Sequence, residues 1–291
     1  MKDPWTWIAV LAAAVIAGGA AAASDVETRR EEKGMTAILG AQTREIALLQ
    51  SELEDMKEHK LLGLQFWEGR LAGRRAVVVR MASGKVNAAM VTTLVVEHFQ
   101  PAEIIVTGIA GGLNPALGPG DIVIADKVVH HDVCRLRGDS IEYRGARDPI
   151  HGGRHPVFFE PADYLLEIAQ KAANQTRFIA VRRGDDATSG PAVRVITGAV
   201  ATGDAFIASD AKRDELRGEP LKADCVEMEG AAVAQVCRQL DVPCIVLRCM
   251  SDLADNAAIQ DLESFADVAA TNSAHLVREI LRLLAAREQA P

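Results

Sequence analysis

The chain has 291 residues, 49% of them hydrophobic and 25% charged, an ordinary globular balance with room for one large α/β domain or two small ones. Its formal net charge is −8 and its basic residues are scattered, which argues against a nucleic-acid footprint and for a small-molecule or protein partner. The densest basic group, Lys212, Arg213 and Arg217, is interrupted by Asp214 and Glu215 and reads as a solvated helix face.

Residues 1–23 carry one early lysine, then an apolar run from Trp5 to Ala23 that ends in alanines before Ser24. This is the pattern of an export signal with a small-residue cleavage site. An uncleaved membrane anchor is the second reading, since the run approaches the roughly 20 residues that span a bilayer. A buried helix ranks last, because the run has no polar face. The charged stretch 24–34 reads as a linker, and residues 35–288 as the domain. Export implies an oxidising compartment. The five cysteines are odd in number and without CxxC spacing, so they read as small buried hydrophobes, with one disulfide left open.

From there short β-rich runs alternate with amphipathic helices. "TAILGA" (36–41) reads as a strand. A helix is expected over 43–59, with Ile46, Leu49, Leu53 and Met56 at helical spacing. A strand over 74–81, a helix over 85–99 and a continuously apolar strand over 102–108 follow. Further strands are expected at 121–129, 193–202, 224–228 and 243–251, and helices at about 161–174, 209–217, 229–241 and 262–287. Segments 135–156 and 182–192 read as irregular surface insertions, the first placed to overhang a site. His130, His131, His151 and His155 match no metal-ligand spacing. The alternation predicts an α/β fold: a three-layer α/β/α sandwich around a mixed, mostly parallel twisted sheet.

In open α/β sheets ligands collect beyond the carboxyl ends of strands. The residues at those positions are "GAQTRE" (40–45), "ASGK" (82–85), "TGIAGGL" (107–113), "ATGDAFIAS" (201–209), "VEMEG" (226–230) and "RCMSDLAD" (248–255). Singly each is weak: "TGIAGG" is as readily a turn as a ligand cradle, and Ser251 with Asp252 would make a good helix N-cap. In this order they resemble the nucleoside phosphorylase/nucleosidase superfamily over about Thr36 to Ala285. Within it they are most similar to the 5'-methylthioadenosine/S-adenosylhomocysteine nucleosidases.

That resemblance implies hydrolysis of the bond between adenine and ribose, through an oxocarbenium-like state comparable to glycoside hydrolysis. It implies that Asp252 protonates the departing base, oriented by Ser251, and that Glu45 activates water with Arg248 helping to hold that water. Glu229 would accept hydrogen bonds from the ribose hydroxyls and Met228 would pack on the sugar. Phe206 would stack on adenine, the Ile207 backbone would read its edge, and Gly111 would lie against the substrate. Glu227 reads as a paired structural acid and Asp204 as a turn residue. Two departures stand out: Ile109 replaces a serine that helps place the nucleophile, and Gln42 replaces an apolar side chain. The alternatives are a phosphorylase of the same fold and a non-catalytic exported binding protein. The resemblance further implies a homodimer and requires neither metal nor organic cofactor.

Overall fold

A computed structural model describes residues 34–138, 140–181 and 192–289. The expected leader, the linker up to Lys33 and most of the insertion at 182–192 lie outside the described residues. Among the described residues no helix is long and apolar enough to cross a membrane.

Strand β1 (Met35–Gly40) leads to helix α1 (Thr43–Ser51), then to β2 (Glu54–Leu61), β3 (Leu64–Leu71) and β4 (Arg74–Arg80). Helix α2 (Lys85–Phe99), β5 (Glu103–Gly112), β6 (Ile122–His130), the hairpin β7 (Cys134–Arg137) and β8 (Ser140–Tyr143), and the short β9 (Phe158–Phe159) follow. The chain continues through α3 (Asp163–Ala173), β10 (Val195–Thr202), α4 (Asp210–Arg217), β11 (Cys225–Glu227), α5 (Gly230–Gln239), β12 (Cys244–Asp252) and α6 (Ala258–Glu288).

All strands but β7 and β8 form one ten-stranded mixed sheet, in the path β11-β10-β6-β12-β5-β1-β4-β3-β2 with β9 beside β6. Its centre is parallel: β1 pairs with β4 and β5, and β5 with β12. Antiparallel contact of β11 with β5, Cys225 opposite Gly112, closes the far side on itself. The strand period of two explains the layers. Val77, Val79, Ile104 and Val106 face α2 and α5, whereas Val78, Ile105 and Leu247 face α1, α3 and α6. The expected α/β/α sandwich is the architecture.

Three expectations need correction. The helix expected over 43–59 stops at Ser51, and residues 54–71 form a hairpin instead. Leu62 and Gly63 both take positive φ (49° and 86°), the backbone of a tight two-residue turn that matches strand twist. Met56, which extended the helical spacing, is half exposed on the edge strand. The strand expected over 102–108 runs on to Gly112, so "TGIAGG" is strand and not turn. The insertion at 135–156 opens with the ordered β7–β8 hairpin.

The basic group on α4 is a solvated face: Lys212 pairs with Glu215, Arg213 with Asp210 and Arg217 with Asp214, each three residues apart. None of the five cysteines forms a disulfide.

Candidate active site

At the carboxyl ends of β1, β5, β11 and β12 lies a cleft of about 160 Å³. Glu45, Glu227, Met228, Glu229, Phe206, Ile207, Gly111, Ser251 and Asp252 all line it. Residues spread over more than 200 positions of sequence therefore share one cavity.

Glu45 sits in the first turn of α1, where acids suit the helix dipole. It is nonetheless buried (2% exposed). Its Oε2 accepts from the Gln42 amide at 2.7 Å, and its Oε1 from the Ile109 amide at 2.9 Å. Burial pushes its pKa up, and the Arg248 charge and these amides offset that only in part. The Ile109 side chain offers no hydroxyl, but its main-chain amide donates to the carboxylate.

Arg248 is the largest fully buried side chain. Its Nη2 donates to Glu227 and, at 3.3 Å, to Glu229. It is not among the residues lining the cleft; it stands behind the acids and binds two of them. Burial works against its charge, but Glu227, Glu229 and Glu45 outweigh that and hold its pKa above the usual arginine range.

Glu227 is the best satisfied of the acids. It accepts from Thr202 and Arg248 and from the amides of Glu229 (2.9 Å) and Gly230 (2.8 Å) at the start of α5. Burial raises its pKa, yet Arg248 and these donors together hold it below the ordinary value. Glu229 has less support. It accepts from the Gly84 amide at 2.9 Å and from Arg248, and burial together with the Glu227 charge pushes it up to about 7.

Asp252 owes its aim to a bulge. In the β12–β5 register Met250 faces Ala110 and Asp252 faces Gly111, which leaves Ser251 as an extra residue. Strict alternation would send Ser251 and Asp252 to opposite faces; the bulge brings both to the cleft. Asp252 Oδ2 accepts from Ser251 Oγ at 2.8 Å and Oδ1 from the Ala254 amide at 2.9 Å. Burial raises its pKa, and these bonds do not reverse the shift. Helix α6 starts only at Ala258, so the alternative of an N-cap for this pair is removed.

The glycines of β5 make room for these side chains. A Cβ on Gly111 would lie 2.9 Å from Asp252 Oδ1. On Gly108 it would lie 2.2 Å from Arg248 Nη1 and 2.5 Å from Glu45 Oε1. Gly108→Ala should therefore cost about 1–3 kcal/mol through overpacking and displace the guanidinium. Thermal unfolding at the wild-type midpoint would refute this.

Sequence reasoning did not single out Ser83 or Leu262, which also line the cleft, nor Gly84 as the donor to Glu229. Gly84 adopts φ 100°, a conformation that glycine alone takes readily, and only the fold shows that its amide faces an acid 145 residues away. Asp204, expected as a turn residue, accepts from the Lys85 amide at 2.8 Å and so closes the first turn of α2. Phe206 is 48% exposed at the cleft edge, while Ile207 is buried. Among the described residues no group of three or more His, Cys, Asp or Glu could hold a metal ion.

Fold and cleft define a class: an α/β enzyme with buried acids in a cleft at the carboxyl ends of the parallel strands of a mixed sheet. The phosphorylase superfamily profile matches residues 36–282. The 5'-methylthioadenosine/S-adenosylhomocysteine nucleosidase of Geobacillus kaustophilus is 39% identical over 249 residues, 85% of this chain and 97% of that protein. The nucleosidase of the same name from Neisseria meningitidis, solved with methylthio-immucillin-A, superposes with a TM-score of 0.73 at 34% identity, over 86% of this chain and 99% of that one. Futalosine hydrolase of Helicobacter pylori gives a TM-score of 0.72 at 29% identity, over 86% and 98% of the two chains. The chain belongs to the phosphorylase superfamily, within its 5'-methylthioadenosine/S-adenosylhomocysteine nucleosidase branch.

Proposed function

We propose that the protein hydrolyses the N-glycosidic bond of adenine nucleosides of the methylthioadenosine/S-adenosylhomocysteine type and releases adenine. The observation that carries this reading is one cleft lined by four carboxyl groups whose proton affinities are shifted in different directions. Asp252, pushed toward its neutral form by burial, is suited to give a proton to the leaving base. Glu229 ionises near neutrality and is suited to accept charge-assisted hydrogen bonds from the ribose hydroxyls. Glu45, held by two amides, is suited to take the proton of an attacking water. Arg248 is a positioning residue that keeps Glu227 and Glu229 in register. Phe206 and Ile207 form the adenine side of the cleft, and Met228 packs on the sugar.

Charge favours water over phosphate as nucleophile. Four carboxylates line the cleft, and Arg248, the buried cation beside them, is already shared by two. The N-terminus of α2, where an anion would be drawn, has its Gly84 and Lys85 amides taken by Glu229 and Asp204. An adenine-release assay with and without phosphate tests this. Adenine with free ribose product, independent of phosphate, is expected; ribose 1-phosphate points to a phosphorylase, and ligand binding without adenine release points to a storage protein.

The pH dependence has a definite sign. Nucleoside turnover increases as pH rises through about 7 and Glu229 loses its proton. Glu229→Gln removes the rising limb. A profile flat between about pH 6 and 8 is the result that contradicts this assignment.

Two further parts of the reading concern the whole molecule. The homodimer is supported by Val86 (79% exposed) and Met90 (46% exposed), one turn apart on α2 beside the cleft, which a second copy would cover. Light scattering at micromolar concentration tests it. Export rests on the pattern of residues 1–23, and the mass of the protein recovered from cells tests whether the leader is removed.

A further inference from the structure

The order of strands fixes which groups lie at which end of the substrate. Asp252 ends β12, Ile109 and Gly111 lie on β5, Gln42 follows β1, and Ser83 follows β4, and these strands are successive neighbours in the sheet. At about 4.8 Å per strand, Gln42 and Ser83 stand roughly 10–15 Å along the cleft from the acid that faces the base. Glu229 and Glu45 lie between, and both are tied to that far end: Gln42 donates its amide to Glu45, and Gly84, next to Ser83, donates to Glu229. With adenine at Asp252 and the ribose at Glu229, the 5' substituent points at Gln42 and Ser83.

Those two side chains are of one kind. A carboxamide and a hydroxyl each both donate and accept hydrogen bonds. Together they match a zwitterionic amino acid, whose carboxylate accepts and whose ammonium donates. A methylthio group does neither, and closing on it strips water from both side chains without return. Gln42 is half-buried and Ser83 exposed at the rim, so a long substituent can extend outward past them.

Resting on the adenine-nucleoside reading above, we infer that Gln42 and Ser83 form a polar 5' subsite that makes the enzyme prefer a nucleoside bearing an amino-acid chain at C5' over one bearing a short alkylthio group. A site built around hydrogen bonds discriminates strongly against ligands that lack them.

The test compares kcat/KM for S-adenosylhomocysteine and 5'-methylthioadenosine in wild type and in Gln42→Met/Ser83→Val. The ratio within one preparation does not depend on the fraction of active protein, so a partly unfolded variant still reports. The wild type is expected to favour S-adenosylhomocysteine by about tenfold or more, and the double variant to bring the ratio to one or below. Wild-type preference for methylthioadenosine, or a ratio that the substitutions leave unchanged, overturns the subsite while the hydrolase stands. No adenine from either substrate overturns the hydrolase reading itself, and the subsite with it.

Discussion

Asp252→Asn lowers adenine release by about 10²–10⁴-fold, the range expected when a general acid is lost, and leaves nucleoside binding within a few-fold of wild type. Asparagine has the same shape, and its carboxamide oxygen can still accept from the Ala254 amide or Ser251. What it lacks is the proton. Burial raises the proton affinity of the aspartate, and an amide has no equivalent proton to give. Steady-state adenine release together with calorimetric binding separates the two effects. Activity within tenfold of wild type would remove Asp252 from the role of acid.

Arg248→Met destabilises the fold by about 3–5 kcal/mol, the usual cost of leaving buried charges without their partner. Methionine fills part of the space but leaves Glu227 and Glu229 facing each other in a dry site. The deficit depends on pH in a set direction. Glu227 has its folded-state pKa lowered, so in the wild type it adds stability above its unfolded pKa and loses it as pH falls. Without the guanidinium that contribution disappears, and the variant approaches wild type in acid, where the carboxylates are protonated. Glu227→Gln added to the variant should recover part of the loss. Urea unfolding across pH measures all three proteins; a deficit below 1 kcal/mol at neutral pH, near the upper end for exposed pairs, would show that the pair is not a buried one.

These outcomes also separate the acids from one another. Loss of Asp252 acts on turnover with the fold intact, because its partners are local. Loss of Arg248 acts on the fold and on Glu229 together, because one guanidinium serves two carboxylates, one at the end of β11 and one at the N-cap of α5.

Much of the fold was legible along the chain. Helix α2 was predicted to its ends, because "KVNAAMVTTLVVEHF" begins after a glycine and has no competing strand pattern. The central strand β5 is legible over 102–108 as a continuous apolar run, since burial on both faces requires it to be so. The region after α1 was misread. Ile46 and Leu49 are buried by the helix, but Leu53 and Met56 continue its spacing by coincidence, and the turn at Leu62–Gly63 that redirects the chain is a local backbone event with little pattern of its own. Within the cleft, Glu229, Glu45 and Asp252 could be named from their motifs, whereas Ser83, Gly84 and Leu262 carry no motif and enter only because strand order brings them there.

The sequence by itself determined the alternation of strands and helices, the apolar faces that pack them, and the identity of the acids, for these depend on residue type and local spacing. Only the tertiary structure decided which backbone amides hold each carboxylate, that the bulge at Ser251 turns Asp252 into the cleft, and that Arg248 pairs with two of the acids from behind. The physical reason is that burial and hydrogen bonding set these proton affinities, and both arise from neighbours far apart in the chain, such as Gly84 and Glu229 or Glu45 and Ile109.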